Sequence, residues 1–140
     1  MSVTVVERDK QALSNFVSTS PWQDDPLLEA IGGKAVSLLS ASGERHARAL
    51  ILDESGMAKQ GTASVGVGRQ YCGALGKVDN CQVGVFGAYV SRHGYTLVGY
   101  GLFLPEEWFD DDHRERWKKC GIPEETIHKT KPELAVERLQ

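Results

Sequence analysis

Hydrophobic positions along this chain change their period part-way through, and the change divides it into helical and extended regions. In residues 8 to 18, Ala12, Leu13, Phe16 and Val17 share one helical face, and the pattern breaks at Ser18-Thr19-Ser20-Pro21, which predicts a short amphipathic helix. Asp25-Pro26 then offers an N-cap and a proline at the first helical position. Leu27, Leu28, Ile31, Ala35, Leu38 and Leu39 follow at helical spacing until Ser42-Gly43, predicting a second helix over about 26 to 41. Its Gly32-Gly33 pair costs about 1 kcal/mol per glycine relative to alanine, so packing must hold it.

The period then shortens. Ala49-Leu50-Ile51-Leu52 is apolar on both faces and predicts a buried strand over 48 to 53 that delivers Asp53 at its carboxyl end. A glycine-rich excursion from Ser55 to Asn80 separates it from Gln82 to Val90, where both registers hold apolar or small residues, as in an interior strand covered on both sides. Ser91-Arg92-His93-Gly94 predicts a hairpin turn, and Tyr95 to Leu104 the return strand, stopped by Pro105. Trp108, Phe109 and Trp117 lie in a charged helical stretch ending at Gly121. Thr130-Lys131-Pro132-Glu133 has the capping-box form that opens a last helix. The last two strands make an antiparallel pair, and the class expected is mixed α/β.

Composition narrows the picture. With 140 residues, 41% hydrophobic and 25% charged, the chain can enclose a core without staples, which excludes collagen-like, disordered, membrane-spanning and disulfide-scaffold readings. Cys72, Cys81 and Cys120 form no C-x-x-C pair, and free thiols fit a reducing, intracellular setting. The net charge of -3 conceals an asymmetry. From Ser55 to Pro105 the only acid is Asp79, against Lys59, Arg69, Lys77 and Arg92, and 11 of the 15 glycines fall between Gly56 and Gly101. A basic, glycine-rich centre between acidic ends suits a polyanion facing the centre, although loops that simply lack acids would give the same pattern.

Asp53 is the strongest chemical candidate, because a carboxylate on a rigid strand next to a flexible Gly56 can hold a hard divalent cation in an open cleft. Two-metal chemistry needs several converging carboxylates, and Glu54, adjacent in a strand, points to the opposite face. Phosphate-loop readings fail: Gly66-Val67-Gly68-Arg69-Gln70-Tyr71 has tyrosine where the dinucleotide fingerprint needs glycine, and Gly76-Lys77 is followed by Val78 rather than Ser or Thr. Cys72, Cys81 and His93 lack the close pairs of a structural zinc site. The acids Glu106, Glu107, Asp110, Asp111 and Asp112 read as a solvated helix N-terminus.

Several ordered motifs nevertheless resemble one family. They are Leu52-Asp53-Glu54-Ser55-Gly56-Met57-Ala58-Lys59-Gln60-Gly61, Ser64-Val65-Gly66-Val67-Gly68-Arg69-Gln70-Tyr71-Cys72-Gly73 and Gly76-Lys77-Val78-Asp79-Asn80-Cys81-Gln82-Val83, followed by Leu102-Phe103-Leu104-Pro105-Glu106-Glu107-Trp108, Gly121-Ile122-Pro123-Glu124 and Thr130-Lys131-Pro132-Glu133-Leu134-Ala135. With Ser20-Pro21-Trp22 upstream, these resemble the opening catalytic block of bacterial insertion-sequence transposases of the DDE superfamily over roughly residues 8 to 140.

The resemblance implies N-terminal helices (1–45) followed by the first part of an RNase H-like core (46–140), incomplete and beginning with a three-stranded antiparallel meander. It implies cutting and joining of DNA at transposon ends with Mg2+ or Mn2+, in the bacterial cytoplasm and at the nucleoid, without a membrane. Asp53 matches the first of three metal-binding acids. The second Asp and the Glu have no counterpart before Gln140, so the expectation is a truncated, catalytically incomplete copy. Lys59, Arg69 and Lys77 would contact DNA phosphates. The alternative is a non-catalytic DNA-binding or regulatory remnant that pairs with itself or with a full-length transposase, and the outer edge of the first strand is expected to be unpaired.

Overall fold

The computed structural model describes residues 10–19, 24–40 and 48–138. They form α1 (Lys10–Thr19), α2 (Asp24–Ser40), β1 (Arg48–Ala58), β2 (Gly68–Cys72), β3 (Lys77–Ser91), β4 (Gly94–Phe103), a 3-10 turn (Glu106–Phe109), α3 (Asp111–Cys120) and α4 (Lys131–Glu137). The class is mixed α/β, as expected, with one antiparallel sheet in which β3 lies between β1 on one side and β2 and β4 on the other. The expected meander is β1, β3 and β4. Its β3–β4 turn closes on the Ser91–Gly94 pair, and the register slips between Gly87 and Ala88.

Three expectations about the strands need correction first. The strand expected to stop at Asp53 runs on to Ala58, because Glu54 to Ala58 keep pairing with Val85 to Cys81; Asp53 therefore sits in mid-strand. β1 is also exposed, not buried: Leu50, Ile51 and Leu52 are 49%, 49% and 44% accessible, since the strand lies at the sheet edge. The glycine-rich excursion contains β2, which pairs with the start of β3 around the tip Gly73-Ala74-Leu75-Gly76. Gly76 has a φ of 64°, which a side chain would oppose.

At the helix boundaries the agreement is closer. α2 begins at Asp24, so Pro26 is its third residue, still within the first turn where a missing N–H costs nothing. The breaks expected at Ser20-Pro21 and Ser42-Gly43 lie outside the described residues. Gly121 ends α3 in the left-handed conformation at φ 69°. Thr130 and Glu133 form the expected reciprocal capping box on α4, with Glu133 N–H donating to Thr130 Oγ1 (3.4 Å) and Thr130 N–H to Glu133 Oε2 (2.8 Å).

Strand alternation sorts the side chains into two sides. Leu50, Leu52, Glu54 and Gly56 face the helices together with their partners Tyr89, Gly87, Val85 and Val83. On that side Tyr89 Oη and Ser40 Oγ of α2 lie 2.9 Å apart in a hydrogen bond, and Val85 packs with Leu134 and Ala135 of α4. Ile51, Asp53, Ser55 and Met57 occupy the other side with Ala88, Phe86, Gly84 and Gln82; there Ile51 and Met57 remain 49% and 44% exposed. The expectation that β3 is covered on both sides is thus met on the helix side only, where Val83 and Val85 are buried while Phe86, Ala88 and Val90 are partly open.

The β2–β3 ribbon curls toward the helix-bearing side. A Cβ at Gly56 would lie 2.8 Å from Cys72 Sγ and 3.1 Å from Cys72 Cα, so the missing side chain is the space that Cys72 fills beside Cys81 and Val83. Gly56 is thus a packing glycine within the ladder, opposite Val83, and not a flexible joint next to Asp53. Two buried indoles secure the segment leading into β2: Trp108 Nε1–H donates to Val67 O (2.8 Å), and Trp117 Nε1–H to Trp108 O (2.9 Å). Both polar tips are satisfied where water is absent.

Candidate functional site

Asp53 is exposed on the side of β1 against which no described helix packs, opposite Phe86, and its Oδ1 accepts the Glu54 N–H at 2.8 Å. Glu54 points the other way, as expected, with its Oε2 2.6 Å from Lys131 Nζ, which also lies 5.3 Å from the Phe103 ring centroid. That pair fastens α4 to β1. The pleat therefore keeps these neighbouring carboxylates from sharing an ion. Among the described residues no group of three His, Cys, Asp or Glu could hold a metal. One carboxylate does not fit the demands of a two-ion centre, so these residues by themselves do not complete one.

The basic candidates are partly gathered by the fold. Lys59 N–H donates to Asn80 O (2.9 Å), and Asn80 Nδ2–H donates to Lys59 O (2.8 Å) and Gly61 O (2.9 Å). Asn80 pairs with Arg69 across the β2–β3 ladder. Lys59 and Arg69 thus flank one asparagine, and alternation along β3 from Phe86 to Asn80 puts Asn80 and Arg69 on the same side as Asp53. At the rise of an extended strand, Lys59 stands about 20 Å from Asp53.

Lys77 is placed differently. It pairs with Cys72, alternates with Cys81 and Val83 on the helix-bearing side, and its Nζ lies 2.8 Å from Asp79 Oδ2. The hydrogen bond from Lys77 holds the Asp79 carboxyl below the usual aspartate range, helped by the Asn80 N–H and by the lysine charge. Asp79 therefore offsets much of the field of Lys77, whereas Arg69 adds only a small pull on the same carboxylate.

Sequence reading passed over Tyr71 and Val78. They face each other across the β2–β3 ladder and are each 54% exposed. The available signal was the alternation within Arg69-Gln70-Tyr71-Cys72: Cys72 is fully buried, and Gln70 Nε2–H donates to Gly66 O (3.3 Å) and Cys81 O (3.0 Å), which leaves Arg69 and Tyr71 outward. Cys72 and Cys81 are buried free thiols, and burial, with Cys72 alongside, pushes the Cys81 thiol up. A cavity of about 500 Å3 between β4, Ile122, Thr126 and α4 does not include Asp53 in its lining. No helix of the described residues is long and apolar enough to cross a membrane.

Fold and surface together describe a mixed α/β domain that carries an exposed strand carboxylate, and Lys59 and Arg69 about Asn80, on one side of its sheet. The chain belongs to the DDE superfamily endonucleases, whose family profile matches residues 1–140. It is similar to a protein of Microchaete diplosiphon described as a probable transposase for insertion sequence element IS701, with 35% identity over 112 residues. The match covers 79% of this chain and 28% of the relative, so the chain spans little more than a quarter of that protein's length. No solved structure matches it. Endonucleases of this family use divalent metal ions and act on DNA.

Proposed function

We propose that this chain forms part of the DNA-cutting and DNA-joining unit of an insertion-sequence transposase acting on transposon ends at the nucleoid. Asp53 contributes one carboxylate toward a Mg2+ or Mn2+ site, and Lys59 and Arg69 contact DNA phosphates, with Lys77 a weaker contact near the hairpin end. The observation that carries this reading is that Asp53, Asn80 and Arg69 share the side of one sheet that no described helix covers, in a chain of this family. Cleavage then requires acids beyond the single carboxylate that the described residues offer. The chain alone is expected to bind duplex DNA in a salt-sensitive way and to leave it uncut in Mg2+ or Mn2+. Cleavage by the chain alone that Asp53→Asn abolishes would overturn the incompleteness. Absence of DNA binding at low salt would overturn the DNA reading itself.

A second reading has its own support. Among the described residues β1 pairs with β3 alone, so every second one of its eleven residues turns its N–H and C=O to an open edge, beside exposed Leu50, Ile51 and Leu52. Such an edge favours association with a further strand, from a second copy or from a full-length transposase. Sedimentation that finds only monomer, alone and with that transposase, would remove this reading.

A further inference from the structure

The curl of the β2–β3 ribbon gives it an inner and an outer face. The inner face carries Cys72 and Cys81, both fully buried, with Cys72 seated against Gly56 of β1. The outer face carries Arg69 and Asn80 in one cross-strand row and Tyr71 and Val78 in the next. Tyr71 and Val78 are more than half exposed, and Leu75 at the tip is 45% exposed. As a cross-strand pair Tyr71 and Val78 contribute at most about 1 kcal/mol to the ribbon, and with Leu75 they leave an apolar strip open to water. Arg69, in the row next to Tyr71, and Lys59, whose main chain bonds to Asn80 from the other side, put two positive residues at the base of this apolar strip.

The ribbon is anchored well enough to act as a unit. Gln70 Nε2 spans Gly66 O and Cys81 O, and Trp108 holds Val67 just before β2. A bound partner therefore meets a surface already in shape, with little ordering cost. Because Cys72 on the inner face closes onto Gly56, the outer face is the convex one, and its charged residue, Arg69, is positive. Its complement is concave and negative, with apolar as well as polar groups on its floor.

A groove of duplex DNA has those properties. The major groove is about 12 Å wide, admits a two-stranded β-ribbon, and offers thymine methyl groups to apolar side chains between its two phosphate rows. We propose that the β2–β3 ribbon docks with its outer face in a groove of duplex DNA, Tyr71 and Val78 against base edges and Lys59 and Arg69 on the flanking phosphates. This rests on the DNA reading above and adds to it the element, the face and the double-stranded form of the ligand. Single-stranded DNA suits the surface less well, because unpaired bases stack best along a concave channel.

The test is fluorescence anisotropy of the full chain with a labelled mixed-sequence duplex and with the corresponding single strand, each across a salt series. Wild type should prefer the duplex. Arg69→Gln should weaken duplex binding at every sequence and reduce the log–log salt slope by about one. Tyr71→Ser and Val78→Ser should each weaken it by about fivefold or more with the slope unchanged, since no charge is removed. Lys118→Gln on α3 serves as a control and should bind as wild type. Circular dichroism and tryptophan emission of each variant establish that a loss is not unfolding.

If the duplex binds but neither Arg69→Gln nor Tyr71→Ser changes its affinity, the ribbon is not the contact, while the DNA reading stands. Preference for the single strand overturns the groove assignment. If wild type binds neither form at low salt, the DNA reading fails and takes this inference with it.

Discussion

Gly56→Ala tests the packing that shapes the ribbon. The new methyl would stand 2.8 Å from Cys72 Sγ and 3.1 Å from Cys72 Cα, so both the sulfur and the main chain must retreat by several tenths of an ångström. Neither has room: Cys72 is fully buried and packs with Cys81 and Val83, which are also buried. Overpacking of this kind costs about 1–3 kcal/mol, and the reduced freedom of the unfolded chain returns about 0.4–1 kcal/mol, leaving a net loss of about 1–2 kcal/mol. Urea unfolding followed by the emission of buried Trp108 and Trp117 should show the midpoint lowered by about 0.5–1 M at an unchanged slope. Cys72→Ala removes the sulfur, so in its background Gly56→Ala should cost less than in wild type, a coupling that a double-mutant cycle measures. An unchanged or raised midpoint for Gly56→Ala, or strict additivity with Cys72→Ala, would refute the claim that Gly56 exists to admit Cys72.

Other substitutions probe separate parts of the argument. Gly33→Ala meets no atom within 4 Å on α2 and should raise the urea midpoint, by about 0.5–1 kcal/mol of stability. Thr130→Ala should cost about 1 kcal/mol at neutral pH through loss of the α4 cap. The Thr130 N–H, and then its hydroxyl, hold the Glu133 carboxyl below the usual range. Its stabilisation is therefore complete above the unfolded glutamate pKa and lost as pH falls through the lower folded value; Thr130→Ala removes only the hydroxyl's share of it, so the gap in urea midpoint to wild type should narrow in acid but not close, because the bond from Glu133 N–H to Thr130 Oγ1 does not titrate. Trp108→Phe leaves the Val67 carbonyl without its donor and should lower stability by about 1–3 kcal/mol, read by the same unfolding assay. Millimolar Mg2+ or Mn2+ should leave the melting midpoint of the chain unchanged; a rise that Asp53→Asn removes would mean that these residues form a metal site after all.

Local periodicity carried much of the architecture. The helical spacing of Leu27 to Leu39, the turn at Ser91-Arg92-His93-Gly94 and the Thr130–Glu133 box each depend on groups within a few residues of one another, and each is found. β1 shows where such reasoning stops. Its apolar run predicted burial, but burial depends on what lies alongside, and at the sheet edge nothing described does. β2 was missed because its five residues are pinned by β3, by Cys72 against Gly56 and by Trp108 on Val67, none of which is a local signal.

The candidate site divides in the same way. The sequence by itself determined the family, the candidacy of Asp53 and its separation from Glu54, because alternation of adjacent side chains is a property of any strand. Tertiary structure decided which charges stand together. Register across three strands set Lys59 and Arg69 about Asn80, sent Lys77 to the other side beside Asp79, and exposed Tyr71 opposite Val78. Register is a long-range agreement between segments, and the inward curl that leaves one face of this ribbon open comes from Cys72 filling the space left by a glycine sixteen residues earlier.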